Sequence, residues 1–553
     1  MTTDHIDPQA VADLAAGLAW DPPDPGEWEF DSSHQSEPMT ATARELAPPA
    51  FKAGFQAAFA LFGLPLSHVE MRFVNGYGYM SVFVHGAPRK GNGKPPPGIL
   101  VKLLSRLPPS ARRRIRTAQA AIDSDTAMAE IDRWDELRPK WIVRCLELQD
   151  IDVTTCTDQQ LADHVRRTAA LFVDGFRTHF ELISQAMPVG EYLVRTQNWG
   201  IDPRTAAKAA FHGVRTTAEA RERLDALAAA LGDAEVADLD EIRGHSDAAS
   251  GALDEYLRYH GTWLLADDVH NATFSEHPNA VFRSVQQHRG GAFDEREEIE
   301  AALEACRSAV DPAEHAALDT ATARAQRAHA ALDDNSGLLA AWPGGLVHRA
   351  QAEASKRLAE RGILGAPDDV WTLAPDEIAG ILEGSPTPTA EEVHQRVVLR
   401  AAQATLTPPP HLGSPPSPPP DAVLFPEPVA HYVGAIGAFL AAKFGGHDGS
   451  GLGIGDRAAT GRAVVALTPG DALARIEPGD VLVTAYTTPA FNVIMPVLGG
   501  VVTTTGGPNS HTAVVARELG IPAILGVSDA LDRIPDGAMV TLDPVKATAT
   551  VNP

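Results

Sequence analysis

Between residues 107 and about 405, apolar side chains recur every three to four positions with charges between them. DQQLADHVRRTAALFVDGFRTHF, TTAEARERLDALAAALG and DEREEIEAALEACRSAV show the pattern most clearly. That period predicts amphipathic helices. The domain they form is entered near residue 50, where AFKAGFQAAFALFG predicts a helix and MRFVNGYGYMSVFV predicts a hairpin turning at Asn75-Gly76. After residue 450 the pattern changes to short Val- and Thr-rich runs, GRAVVAL, GDVLVTAY, GGVVTTTG, IPAILG and AMVTLDP, separated by turn residues. These predict strands of a small α/β domain. The expected fold class is a multidomain α+β protein, with a large mainly helical substrate-binding-like domain (50–405) followed by a small α/β domain (450–553).

Two segments carry neither period. Residues 1–49 are rich in Asp, Glu, Pro and Ser and read as an acidic, Pro-rich N-terminal arm with no catalytic residue expected in it. In residues 406–449, TPPPHLGSPPSPPPDAVLFPEP cannot continue a helix and reads as a semi-rigid extended linker ahead of a short helix.

A formal net charge of −26 argues against general nucleic-acid binding, which needs a clustered excess of Lys and Arg. Cys145, Cys156 and Cys306 are too scattered for a CxxC metal site and too few for a disulfide framework. No apolar run approaches the length of a membrane span, and the N-terminus lacks a signal-peptide pattern. A cytoplasmic enzyme, with neither nucleic acid nor membrane as partner, is the expectation.

Chemistry concentrates in GGVVTTTGGPNSHTAVVARELGIPAILGV, where a strand, a glycine turn and an amphipathic helix place His511 at a helix N-terminus. A phosphoryl group on His511 would face the unpaired N–H groups of the first turn and the positive end of the helix dipole. Asn509, Ser510 and Thr512 could add hydrogen bonds, Gly506 and Gly507 leave room for backbone to approach a phosphate, and Arg517 could support the charge. A neutral imidazole nitrogen would be the nucleophile.

The segment resembles the phosphohistidine swivel domain of the phosphoenolpyruvate-utilising enzymes, shared by phosphoenolpyruvate synthase, pyruvate phosphate dikinase, Enzyme I of the sugar phosphotransferase system and rifamycin phosphotransferase. Gly506 to Arg517 meet every specified position of that signature, and Glu518-Leu519-Gly520-Ile521-Pro522-Ala523 continue it; EPGDVLVTAYTTPAFN upstream is similar to the family's approach to the site. The resemblance implies that His511 carries the phosphoryl group. In the dikinases a phosphoenolpyruvate-binding barrel follows the swivel domain, whereas here 42 residues follow His511 (553 minus 511). No glycine-rich nucleotide loop precedes the hairpin. The arrangement is therefore similar to rifamycin phosphotransferase, or to the phosphohistidine subunit of phenylphosphate synthase, without an evident ATP-grasp domain. It implies a phosphotransferase that is charged by a separate ATP-grasp-type subunit and delivers to a hydroxyl of a small molecule, with elimination of phosphate as a further outcome. A non-catalytic ligand-binding or regulatory protein is the alternative.

For the receiving station, His260, Asp267, Asp268, His270, Glu276 and His277 concentrate acid–base groups, and Asp267-Asp268 offers hard oxygen ligands to a divalent ion such as Mg²⁺. In the family an Arg and a Gly-Glu pair commonly stand where this chain has Trp263 and Asp267-Asp268. Arg72, Asn75, Tyr77 and Arg195 are further candidates for the pocket wall. Trp199, Trp263 and Trp342 are candidates for an apolar lining, with core packing as their default role.

Overall fold

A computed structural model describes residues 6–552 except 33, 36, 87–96, 290–295, 416–417, 445–450, 489–490 and 493. Two bodies are evident: a large helical region and a C-terminal sheet domain.

The helical region gathers around buried aromatic and alanine-rich faces. Trp134, Trp141, Tyr192, Phe211 and Trp342 share one core with Ala206, Ala210, Ala325 and Ala328, the small residues letting helices approach closely. Glycine serves the same end at Gly190 of the Ala186–Asn198 helix, where a Cβ would stand 1.9 Å from the Ala435 carbonyl oxygen of the Glu427–Phe444 helix. The helix expected as part of a linker is thus packed into the helical region, alongside Phe62 and Tyr432.

A four-stranded sheet caps this region in the order β2-β3-β1-β4, with β1 Glu27–Phe30, β2 Leu66–Val74, β3 Tyr77–Val84 and β4 His411–Gly413. Asn75 and Gly76 take positive φ values of 50° and 80°, the mirror-image turn that a two-residue hairpin favours. Both segments without a period are built into the fold. The N-terminal arm is ordered on contact: β1 pairs with both β3 and β4, and Trp28 is 1% exposed against Tyr77, Tyr79 and Leu412. The Pro-rich run lies against the same sheet, since β4 is at the sheet edge, where proline's missing N–H is tolerated, and Tyr79 Oη donates to Pro409 O at 3.0 Å.

In the C-terminal domain seven strands run β11-β10-β6-β7-β8-β9-β5: β5 Leu452–Ile454, β6 Ala459–Val465, β7 Val481–Thr484, β8 Gly500–Thr503, β9 Ala523–Leu525, β10 Met539–Asp543 and β11 Thr548–Val551. β6 to β9 are parallel, and the outer strands antiparallel. Every residue of β7 and β8 is buried because both faces are covered, Leu482 and Val501 on one side, Val481, Val483 and Val502 on the other. The loops leaving the carboxyl ends of β7 and β8 carry the candidate chemistry, the usual place for a ligand crevice in a parallel sheet.

Candidate functional site

His511 is the first residue of the His511–Leu519 helix, which leaves β8 through the glycine turn. Ser510 caps that helix, its Oγ accepting from Ala513 N at 3.3 Å, and Gly520 closes it in the left-handed region at φ 65°. The loop after β7 supplies two partners for the ring. Nδ1 lies 2.7 Å from Thr487 Oγ1, which also meets Thr512 Oγ1 at 2.8 Å, and Nε2 lies 2.8 Å from Asn492 Oδ1. Thr504 N–H donates to Thr484 O and Thr505 N–H to Ala485 O, so the two loops are knitted together behind the ring.

Burial, reinforced by the nearby Lys443 charge, pushes His511 down to about 3 and keeps the imidazole neutral. The two ring nitrogens are not equivalent. Thr487 is 5% exposed and tied to Thr512, which makes Nδ1 the anchored end. Asn492 is only partly buried, and its carboxamide serves either tautomer by turning over, which makes Nε2 the exchangeable end.

The expected phosphate-binding residues are placed differently from one another. Gly506 has φ 127°, a conformation that L side chains rarely adopt. Gly507 N–H and Asn509 N–H donate to Lys443 O (3.2 Å) and Ala442 O (3.0 Å) at the end of the Glu427–Phe444 helix. In this arrangement the turn holds a neighbouring helix, and the space beside Gly507 is filled by the Ala442 carbonyl. Thr512 meets Thr487, and Arg517 Nη1 donates to Pro508 O at 3.0 Å while its charge is felt at His212 and His329.

Asp31 and His34 from the loop after β1 gather with Asp267, His179 and Tyr486, each within electrostatic reach of at least one other, and the Lys443 charge is felt both in this group and at His511. His179 Nδ1 lies 2.6 Å from Asn335 Oδ1, and Asn335 Nδ2 donates to Gln185 Oε1 at 3.0 Å; burial pushes this histidine down to about 4. Asp267 is exposed at the surface, but the protein crowded around it, with Asp31 and Asp268, raises it above the ordinary carboxylate value, His34 opposing.

The expected acid–base cluster is therefore divided. Only Asp267 joins the group around His34 and Tyr486. Asp268 accepts from Thr40 N and Oγ1, both at 2.7 Å, and from Val269 N, which fixes the start of the Ala41–Leu61 helix. Its oxygens are committed, so Asp267-Asp268 does not present a paired cation site. His270 bridges Asp268 and Glu37 at 3.3 and 2.7 Å. Glu276 completes a capping box with Thr273 and meets His348 at 3.2 Å. His260 is packed between Tyr256 and Trp263, pushed down to about 3 by burial and Arg223, and His277 opens the Pro278–Arg289 helix, accepting from Ala280 N and Val281 N.

The other wall candidates lie elsewhere. Arg72 pairs with Glu70 at 3.2 Å on the sheet surface, Asn75 Nδ2 donates to Ala19 O, Tyr77 is in the small-sheet core, and Arg195 is exposed on its helix. Trp342 is core, and Trp199 and Trp263 pack against that core. Sequence reasoning passed over Thr487, Lys443, Asp31, His34 and His179. The first two stand within or beside recognisable segments, but nothing in the spacing around Asp31 and His34 points to a site.

Residues 476–546 match the family model described as the PEP-utilising enzyme mobile domain. The chain is 48% identical over 85 residues to a phosphoenolpyruvate synthase of Aeropyrum pernix, covering 15% of this chain and 10% of that protein. It is 33% identical over 191 residues to a rifampicin phosphotransferase of Streptomyces sviceus, covering 34% and 20%. It is 29% identical over 201 residues to an uncharacterised phosphotransferase of Bacillus subtilis, covering 35% and 22%. The matches thus span about a tenth to a fifth of these relatives. Among the described residues no helix is long and apolar enough to cross a membrane, and no group of three or more His, Cys, Asp and Glu side chains could hold a metal ion.

Proposed function

We propose that this chain is a phosphotransferase component that carries a phosphoryl group on His511 and delivers it to a hydroxyl of a small organic molecule bound beside Asp267. The observation that carries this reading is His511 itself: a neutral imidazole at a helix N-terminus, gripped at both nitrogens, beside Lys443, in a domain matching the PEP-utilising mobile domain.

In the charging step Nε2 attacks the terminal phosphorus of the donor in line, the N–P bond forms and the donor's O–P bond breaks. Nδ1–H then donates to Thr487 Oγ1, whose own O–H donates a hydrogen bond to Thr512 Oγ1, and the ring is held at a fixed angle. The donor in this proposal is ATP on a separate subunit, which also brings any Mg²⁺. Charging requires Gly507 and Asn509 to leave the Lys443 and Ala442 carbonyls, freeing the turn's N–H groups for phosphoryl oxygens. In the delivery step the acceptor oxygen attacks phosphorus, the P–N bond breaks, the imidazole returns neutral, and the hydroxyl proton passes to the Asp267 carboxylate. A carboxylate whose proton affinity is raised by its surroundings is suited to that role.

The test is label transfer from ATP labelled in its terminal phosphate, and separately from labelled phosphoenolpyruvate, with extract of the source cell as donor. Acid-labile label on wild type with ATP and extract, absent from His511→Ala, is the expected result. Label on both proteins, or on neither, overturns the reading.

A further inference from the structure

The loop following β1 belongs to a stretch whose composition gives no sign of a site, yet Asp31 and His34 are tied into the fold. Asp31 N–H donates to Gly78 O at 3.0 Å, His34 N–H donates back to Asp31 O, and Asp31 is 4% exposed. Its carboxylate oxygen stands 2.8 Å from His34 Nδ1, fixing the orientation of the imidazole. The His34 ring centroid is 6.4 Å from that of Tyr486, and the next residue, Thr487, holds His511 Nδ1 at 2.7 Å. One ring and one residue step thus separate the Asp31–His34 pair from the support of the carrier histidine.

Resting on the carrier reading above, we propose that His34, held by Asp31, is a catalytic residue of delivery that binds the oxygens of the phosphoryl group as it leaves His511. A transferring phosphoryl group spreads about two negative charges over its outer oxygens and needs cations placed beforehand. Lys443 is one, close enough for its charge to be felt at His511, His34 and His179. His34 is the second. Its side chain is 51% exposed, and several neighbours act on its proton affinity. Burial and Lys443 lower that affinity, while Asp31, by charge and hydrogen bond, and Asp267 outweigh them and raise it to about 9. His34 is then cationic at neutral pH, whereas His179 and His511 are neutral. The charges that face it are Asp31 on its own loop, Asp267 and Lys443, with Tyr486 and His179 as further titratable neighbours. The division of labour that follows is a neutral histidine to carry, a charged one to receive, and Asp267 to take the acceptor's proton.

The test uses the full chain charged with phosphate from ATP by source-cell extract and repurified at alkaline pH, comparing wild type, His34→Gln and Asp31→Asn. Glutamine keeps a polar partner for Asp31 and removes the cation, and equal charging with unchanged melting controls for folding. The readouts are the ³¹P resonance of the phosphoryl group followed from pH 5 to 10, and the rate of label loss to water and to benzyl alcohol. We expect the phosphoryl group of wild type to titrate about one pH unit below that of His34→Gln, the effect of a nearby cation worth a factor of about ten. Label loss should be at least about tenfold slower in His34→Gln, and in wild type should fall as pH rises through about 9. That alkaline limb should move down in Asp31→Asn. A ³¹P titration and discharge rate unchanged in His34→Gln overturn the proposal. A wild-type chain that never charges removes the carrier reading, and this inference with it.

Discussion

Replacing Gly507 by alanine should undo the seating of the C-terminal domain while leaving its fold intact. A Cβ there would stand 2.2 Å from the Ala442 carbonyl oxygen and 2.8 Å from its carbon, against 3.4 Å or more for ordinary contact, so the turn and the helix end must part by about 1 Å. Parting costs the hydrogen bonds from Gly507 to Lys443 and from Asn509 to Ala442. At about 0.5–1.5 kcal/mol each, the loss is about 1–3 kcal/mol, roughly a five- to hundred-and-fifty-fold shift toward the unseated state. Gly507 itself does not need a positive φ, so alanine brings no backbone strain within the domain, unlike Gly506. Hydrogen exchange at the Asn509 amide measures the opening equilibrium directly. Exchange in Gly507→Ala should quicken by that factor, while amides of β8 such as Val501 and Val502 keep their protection. Unchanged protection at Asn509 would refute the claim that this turn is a docking contact.

Thr487→Val keeps the side chain's shape but strands His511 Nδ1 and the Thr512 hydroxyl; charging of His511 should slow by roughly five- to a hundred-and-fifty-fold in single-turnover labelling, at a loss of about 1–3 kcal/mol. Asp267→Asn should charge normally and discharge slowly to an alcohol, and a normal discharge rate would remove Asp267 from the chemistry. Stability should fall in mild acid. His179, His329 and His511 are held at about 4, 3 and 3 in the folded chain, so the unfolded chain binds more protons below about 6.5 and stability is lost as pH falls from there. For His329, 3% exposed, the loss at pH 5.5 is about 1.4 kcal/mol. His34 and His270, raised to about 9, contribute in the opposite sense, fully below 6.5 and fading as pH climbs through 9. A melting temperature equal at pH 5.5 and 7.5 would contradict this.

How much of this was legible depends on whether a residue's neighbours in space are also its neighbours in sequence. The His511 helix, its Ser510 cap and the parallel strands around it lie within one continuous stretch, where period and turn residues suffice. Thr487 and Asn492 grip the ring from 24 and 19 residues upstream, on a loop with no period, and only the pairing of β7 with β8 brings them together. The acid–base cluster was gathered by spacing alone, yet its members turn to different sides: Asp268 into the cap of a helix more than 200 residues earlier, Glu276 into a local capping box, Asp267 towards Asp31 and His34. β1 was obscured by the prolines and acids around it, because composition reports the average of a segment and not the pairing of Glu29 with Met80 and His411 that anchors it.

The most direct measurement is phosphopeptide mapping at alkaline pH of the chain purified from its source cells, where acid-labile phosphohistidine survives. The account predicts a phosphoryl group on the peptide containing His511, lost when the purified chain is offered its acceptor alcohol and missing from His511→Ala. An active chain whose phosphoryl group sits on another residue, or which turns over with His511→Ala in place, would contradict it.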